Sequence, residues 1–184
     1  MKKITETINN DDITFLKSLL GKNLEAYYCD RFTFNTVAFG IVYFTTNKGN
    51  FSLNSTLKAI DYYGTEEEVS YFHLDHNQQK RKSLLDNVEI IKHEINSKIN
   101  KIILINDSTS TNLNEDNYIY CTTTGIIFEF DEGRQLGFER SELDEGICVR
   151  TGYNLIEKFT PVEELIEDID KKYSPTCKRE LIEL

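Results

Sequence analysis

The strongest constraint on the fold is a succession of short alternating apolar runs, joined by turn residues more often than by helices. In "VAFGIVYFTTNKGNFSLNSTL", Val37, Phe39, Ile41 and Tyr43 alternate along one arm. Phe51, Leu53 and Leu57 fall on the other arm, and Asn47-Lys48-Gly49-Asn50 joins the two. A period of two puts successive side chains on opposite faces, so this segment predicts a β-hairpin. "YIYCTTTGIIFEF" and "RQLGFER" predict a second hairpin around Asp131-Glu132-Gly133, with Gly125 marking a break or bulge. "LEAYYCDRFTF", "VSYFHL", "KIILI", "GICVRTG" and "NLIEKF" read as further strands.

Three segments read as helices. Over Asp11–Leu20, Phe15, Leu16, Leu19 and Leu20 share a face, Asn10 or Asp11 can cap the start, and Gly21 suits the end. Over Gln78–Ile99, Leu84, Val88, Ile91, Ile95 and Ile99 recur at helical spacing. In "TPVEELIEDIDKKY", Thr160 is an N-cap, Pro161 takes the first helical position and Glu163 completes a capping box. Hairpins dominating over strand–helix alternation predict an α+β fold, a mainly antiparallel sheet with three helices packed on it. Residues 1–184 read as a single domain. A division near residues 76–100 is disfavoured because no linker composition occurs there.

Charge narrows the partners. The chain of 184 residues carries a net charge of −10. From Glu129 to Asp170 there are 13 acidic and 4 basic residues, so nearly all the excess lies in this third. Phosphate backbones repel such a surface, which argues against nucleic acid. No apolar run approaches the ~20 residues that span a bilayer, and the lysines of "MKKITETINN" precede no apolar core of a signal peptide. Cys29, Cys121, Cys148 and Cys177 are widely spaced without a CxxC pair, which fits reduced thiols in a cytoplasmic protein. Cys177, beside Lys178 and Arg179, reads as a thiol on a frayed tail.

Sites for chemistry are few. Asp107, with Thr109 and Thr111 after "KIILIN", locally resembles the aspartyl-phosphate loop of P-type pumps and haloacid-dehalogenase-type enzymes. It also resembles the metal-binding loop of von Willebrand A-type domains. Both families are doubly wound and need later motifs that this chain lacks. Asp107 is therefore read as the end of a strand capped by local hydrogen bonds. His73 and His76 in "HLDH" would share a helix face and hold a metal, with Asp75 beside them. On a strand they diverge, so a structural role is expected and no metal or cofactor is assigned. Glu66-Glu67-Glu68 reads as a charge cluster in a loop or first turn.

The expectation from these residues is an acidic binding protein, not an enzyme, that neutralises a basic protein partner. Bacterial immunity proteins against nuclease toxins are the nearest physical type, their carboxylates replacing substrate phosphates. The expected contact residues are Glu129, Asp131, Glu132, Glu139, Glu142, Asp144 and Glu145, with Tyr62 and Tyr63 as aromatic anchors. Carboxylate pairs abound and carry little information, although a strand face could present Glu129 beside Glu139 across the second hairpin. The competing expectations are an enzyme or small-ligand protein with an unrecognised site, and a structural or assembly component.

Overall fold

Both hairpins form, but two of the three expected helices do not. The computed structural model describes residues 1–32, 36–62, 65–76, 82–113, 116–141 and 144–184. In chain order the elements begin β1 (Lys2–Glu6), α1 (Asn10–Ser18), β2 (Asn23–Asp30), β3 (Val37–Phe39), β4 (Ile41–Thr46), β5 (Gly49–Tyr62) and β6 (Thr65–Asp75). They continue with β7 (Ile90–Lys98), β8 (Lys101–Leu113), β9 (Asp116–Glu129), β10 (Gln135–Arg140), β11 (Gly146–Gly152) and β12 (Thr176–Glu183). Short 3-10 turns occupy Asp131–Gly133, Leu155–Lys158, Glu164–Ile166 and Lys171–Tyr173.

Strand accounts for 60% of the structure and helix for 13%, with a single α-helix among the described residues, so the expected α+β fold with three helices is incorrect. The strands form two sheets. The first runs β12-β8-β9-β10-β11-β3, with β1 added parallel to β9; the second runs β6-β5-β4-β2-β7. All other pairings are antiparallel.

The expected helix over Gln78–Ile99 is replaced in its C-terminal half by β7. Ile91, Ile95 and Ile99 are four apart, a spacing that a strand satisfies as well as a helix does. The deciding residues lie between them. Lys92, Glu94, Asn96 and Lys98 are exposed while His93 and Ser97 turn inward, which is a period of two. The N-terminal part of that expected helix, residues 78–81, lies outside the described residues.

The expected helix in "TPVEELIEDIDKKY" is instead a strap of 3-10 turns, closed by bonds such as Glu164 N–H to Pro161 O (3.1 Å) and Glu167 N–H to Glu164 O (3.2 Å). A full α-helix would stack Glu163 on Glu167 and Glu164 on both Glu167 and Asp168. Like charges at those spacings destabilise a helix. "NLIEKF" is likewise a turn and not a strand: Asn154 is left-handed (φ 51°), and Leu155 and Phe159 are thrown onto one side. The helix that does form, α1, is capped one residue earlier than expected, by Asn9 Oδ1 accepting from Asp12 N–H at 2.9 Å.

The main core lies between the sheets. Phe44 of the second sheet meets Phe138 of the first edge to face, with centroids 5.2 Å apart, and stacks on Phe51 at 4.5 Å. Leu24, Val42 and Leu53 on one side, and Ile102, Leu104 and Phe128 on the other, complete it. A second, smaller core sits on the opposite face of the first sheet, where Leu155 and Phe159 of the strap cover Ile105 and Ile127. Two glycines make room for it. A Cβ on Gly125 would stand 2.2 Å from Phe159 Cε1, and one on Gly137 3.1 Å from Leu155 Cδ1. The strap therefore lies close against the strands and fixes the rim of the site described next.

Candidate functional site

The outer face of the first sheet is where charge, hydroxyls and open space meet. Along β8, Ile102 and Leu104 point into the main core, while Ile105, Asp107 and Thr109 belong to the strap-side face. Asp107 is in mid-strand, paired in register with Thr122 on one side and Arg179 on the other. Its expected place at a strand end is thus incorrect: β8 runs on to Leu113, because β12 and β9 satisfy the backbone on both sides. The apolar run ends at Asp107, but the ladder does not.

Asp107 is 2% exposed and fully engaged. Arg179 Nε donates to Oδ1 at 2.8 Å and Nη2 to Oδ2 at 2.7 Å, while Thr124 Oγ1 donates to Oδ2 at 2.7 Å. The bidentate fork matches a planar guanidinium to a planar carboxylate. Its hydrogen bond to Asp107 holds the Arg179 pKa above the ordinary arginine value. The third donor depends on a β-bulge. The β8–β9 register slips between Ile105, opposite Gly125, and Asn106, opposite Thr123, leaving Thr124 as the extra residue. That is the irregularity the sequence marks at Gly125.

A second ion pair lies two strands away, beyond β9. Glu139 on β10 is 5% exposed; Arg150 Nε donates to its Oε2 at 2.9 Å, Arg150 Nη2 adds a second bond, and Thr160 N–H donates to Oε1 at 2.5 Å. Glu139 thereby ties the strap to the sheet. Arg140, next along, donates through Nη1 to Ser70 O at 2.7 Å and Ser70 Oγ at 2.6 Å, anchoring β6 against β10.

Between these groups lies a hollow of about 250 Å³, walled by Val69, Tyr120, Thr122 and Leu165 and floored by Asp107 and Arg140. Glu67 and Glu68 stand on its β6 side. A neighbouring hollow of about 360 Å³ shares Thr124, Arg140 and Leu165 with it and adds Glu164 and Glu167 from the strap. Both glutamate pairs are exposed, so the acidic rim comes from two separate elements. Glu66, Glu67 and Glu68 are not in a loop or first turn; they lie on β6, opposite Asp61, Ile60 and Ala59.

The residues expected to contact a partner are divided among three places. Glu129, Asp131 and Glu132 sit at the β9–β10 turn, where Glu129 accepts from Gln135 Nε2 (2.8 Å) and Asp131 from Asn100 Nδ2 (2.9 Å). Asp144 and Glu145 sit at the other end of β10, about 20 Å away at ~3.4 Å per residue, with Asp144 accepting from Gly146 N–H at 2.7 Å. Glu139 lies between them, buried in its ion pair. Glu129 is opposite Gln135, and Glu139 is opposite Gly125, so the hairpin does not place Glu129 beside Glu139. Tyr62 ends β5 opposite Thr65, while Tyr63 and Glu142 lie outside the described residues.

The histidines serve packing. His76 Nε2 is 3.0 Å from Asp12 Oδ1, and its ring stacks on Phe15 at 4.1 Å, clasping α1 to the end of β6. His73 lies on β6 against Tyr71 at 5.4 Å; burial lowers its pKa, and Asp12 and Asp75 oppose that shift. Among the described residues no group of His, Cys, Asp or Glu is arranged to hold a metal. Cys177 is not on a frayed tail but within β12, its Sγ 3.6 Å from Thr109 Oγ1. Cys29 is buried and its thiol is pushed up to about 12, mainly by burial and then by the Asp30 carboxylate. No helix among the described residues is long and apolar enough to cross a membrane.

The residues that sequence reasoning missed are Arg179, Arg140 and Arg150. Arg140 and Arg150 each interrupt or end an apolar strand run, in "RQLGFER" and "GICVRTG". A charge at such a position costs too much to bury without a partner, so it signals a pair. Comparison with known protein families, with curated proteins and with solved structures gives no match.

Proposed function

We propose that this chain binds and neutralises a basic protein, in the manner of an immunity protein that silences a nuclease-type toxin. The observation that supports the reading best is the convergence of Glu67 and Glu68 from β6 with Glu164 and Glu167 from the strap on two adjoining hollows. Exposed carboxylates on two independently anchored elements form a fixed acidic rim, suited to steering and holding a cationic surface. The buried pairs Asp107–Arg179 and Glu139–Arg150 act beneath it as supports, because their charges are already matched. The net charge of −10 favours the same class of partner.

The test is calorimetric titration of the protein with a panel of purified basic nuclease domains over a series of salt concentrations. A complex whose affinity falls steeply with salt, and which is lost in the E67K/E68K/E164K/E167K variant, is the expected result. Association unaffected by those four reversals would remove the rim from the interface, and the absence of binding to every basic domain would remove the reading.

A further inference from the structure

We infer that the hollow between β6 and the outer face of the first sheet seats one cationic side chain, a lysine or arginine, presented by the basic partner; this rests on the partner-binding reading above. Its size fits one side chain. At about 250 Å³ it holds the liquid volume of roughly eight waters, and it falls below the ~300–1,000 Å³ typical of pockets for whole cofactors or drug-sized ligands. Its walls fit an alkyl stem: Val69, Leu165, the Tyr120 ring and the threonine methyls give it apolar surface, and the hydroxyls of the same threonines line it with polar atoms.

Charge selects the head group. Asp107 is matched by Arg179, which leaves Glu67 and Glu68 against Arg140 around the hollow. The adjoining hollow adds Glu164 and Glu167, while its Glu139 is matched by Arg150. An anion entering here meets a surplus of carboxylates, whereas an ammonium or guanidinium restores the balance. The head group meets Glu67 and Glu68 at the rim, while the stem lies along Val69 and Leu165, clear of the Arg140 guanidinium on the floor. The Tyr120 ring in the wall favours a cation further.

The experiment uses the uniformly ¹⁵N-labelled full chain, titrated with n-propylguanidinium and, separately, with its neutral isostere n-propylurea. The expected result is saturable amide shifts at Val69, Thr109, Thr122 and Thr124 with the guanidinium, and binding at least about tenfold weaker with the urea. E67Q/E68Q should weaken the guanidinium about tenfold, and L165W, which fills the space without changing charge, should abolish the shifts. No saturable shifts, equal binding of the urea, or undiminished binding to L165W overturns the inference. If a basic nuclease domain still binds while the guanidinium does not, the hollow is not the seat and the partner-binding reading stands. If the guanidinium binds and no basic domain does, that reading fails, and with it the claim that a partner supplies the cation.

Discussion

Asp107 and Arg179, 72 residues apart in sequence, form a bidentate ion pair across the β8–β12 ladder, with both guanidinium–carboxylate distances below 2.9 Å. The pair fixes the register of β12 at the point where that strand borders the acidic hollow. Removing one partner strands a buried charge. Asp107→Ala is expected to lower stability by about 3 kcal/mol, and Asp107→Ala combined with Arg179→Met by clearly less, because the double change leaves no unpaired guanidinium. Urea denaturation of the two single variants and the double variant measures this, and additive losses would show that the pair is not coupled.

The bulge and the strap depend on one another through Gly125. Gly125→Ala places a methyl group against Phe159, so a loss of about 1–3 kcal/mol is expected. Phe159→Leu should cost stability alone yet recover part of the loss in combination with Gly125→Ala. A thermal-melting cycle over the four proteins decides, and the absence of recovery would place the strain elsewhere.

Glu139 is the tether between strap and sheet. Glu139→Gln keeps the shape but weakens the bonds to Arg150 and to Thr160 N–H. Amide hydrogen exchange should accelerate about tenfold or more over residues 153–175 while the β4–β5 hairpin stays protected. Uniform acceleration across the chain would mean that the change acts on global stability and not on the strap.

Two histidines set an acid limit. Burial lowers the pKa of both His73 and His93, and His93 is stacked on Tyr27 with centroids 4.5 Å apart. The unfolded chain therefore takes up protons first as pH falls. Stability is full above the unfolded value near 6.5 and declines as pH drops through the depressed folded values. His93→Phe should flatten the part of the slope that begins below the unfolded value, as followed by denaturation midpoints. A slope unchanged by both His93→Phe and His73→Phe would assign the acid sensitivity to carboxylates.

Much of this architecture is legible in the chain. Each hairpin announces itself through alternation and turn residues, and Asp131-Glu132-Gly133 supplies the left-handed pair, φ 62° at Glu132 and 73° at Gly133, that its turn needs. β7 reads as a helix because isoleucines four apart satisfy both periods, while the polar residues between them alternate as a strand requires. The strap carries a helix's capping signals, but its glutamates repel at helical spacing. β12 shows no clean alternation: Lys178 and Arg179 are adjacent, as are Leu181 and Ile182. Its existence depends on β8 offering an edge and Asp107 offering a charge. The acidic rim is hidden for a related reason, since Glu67 and Glu164 border adjoining hollows only because β6 and the strap both meet the outer face of the first sheet.

The pairing of β12 with β8, and of β1 with β9, has a consequence for synthesis. On the ribosome, β8, β9 and β10 emerge well before Arg179 does. During that interval Asp107 lies on an open strand edge with no cation to meet it. The first sheet can therefore close only late, after a delay set by translation, and the two widely separated contacts favour slow folding. A nascent chain halted before residue 176 should remain protease-sensitive over β8 even though both of its hairpins have already left the tunnel.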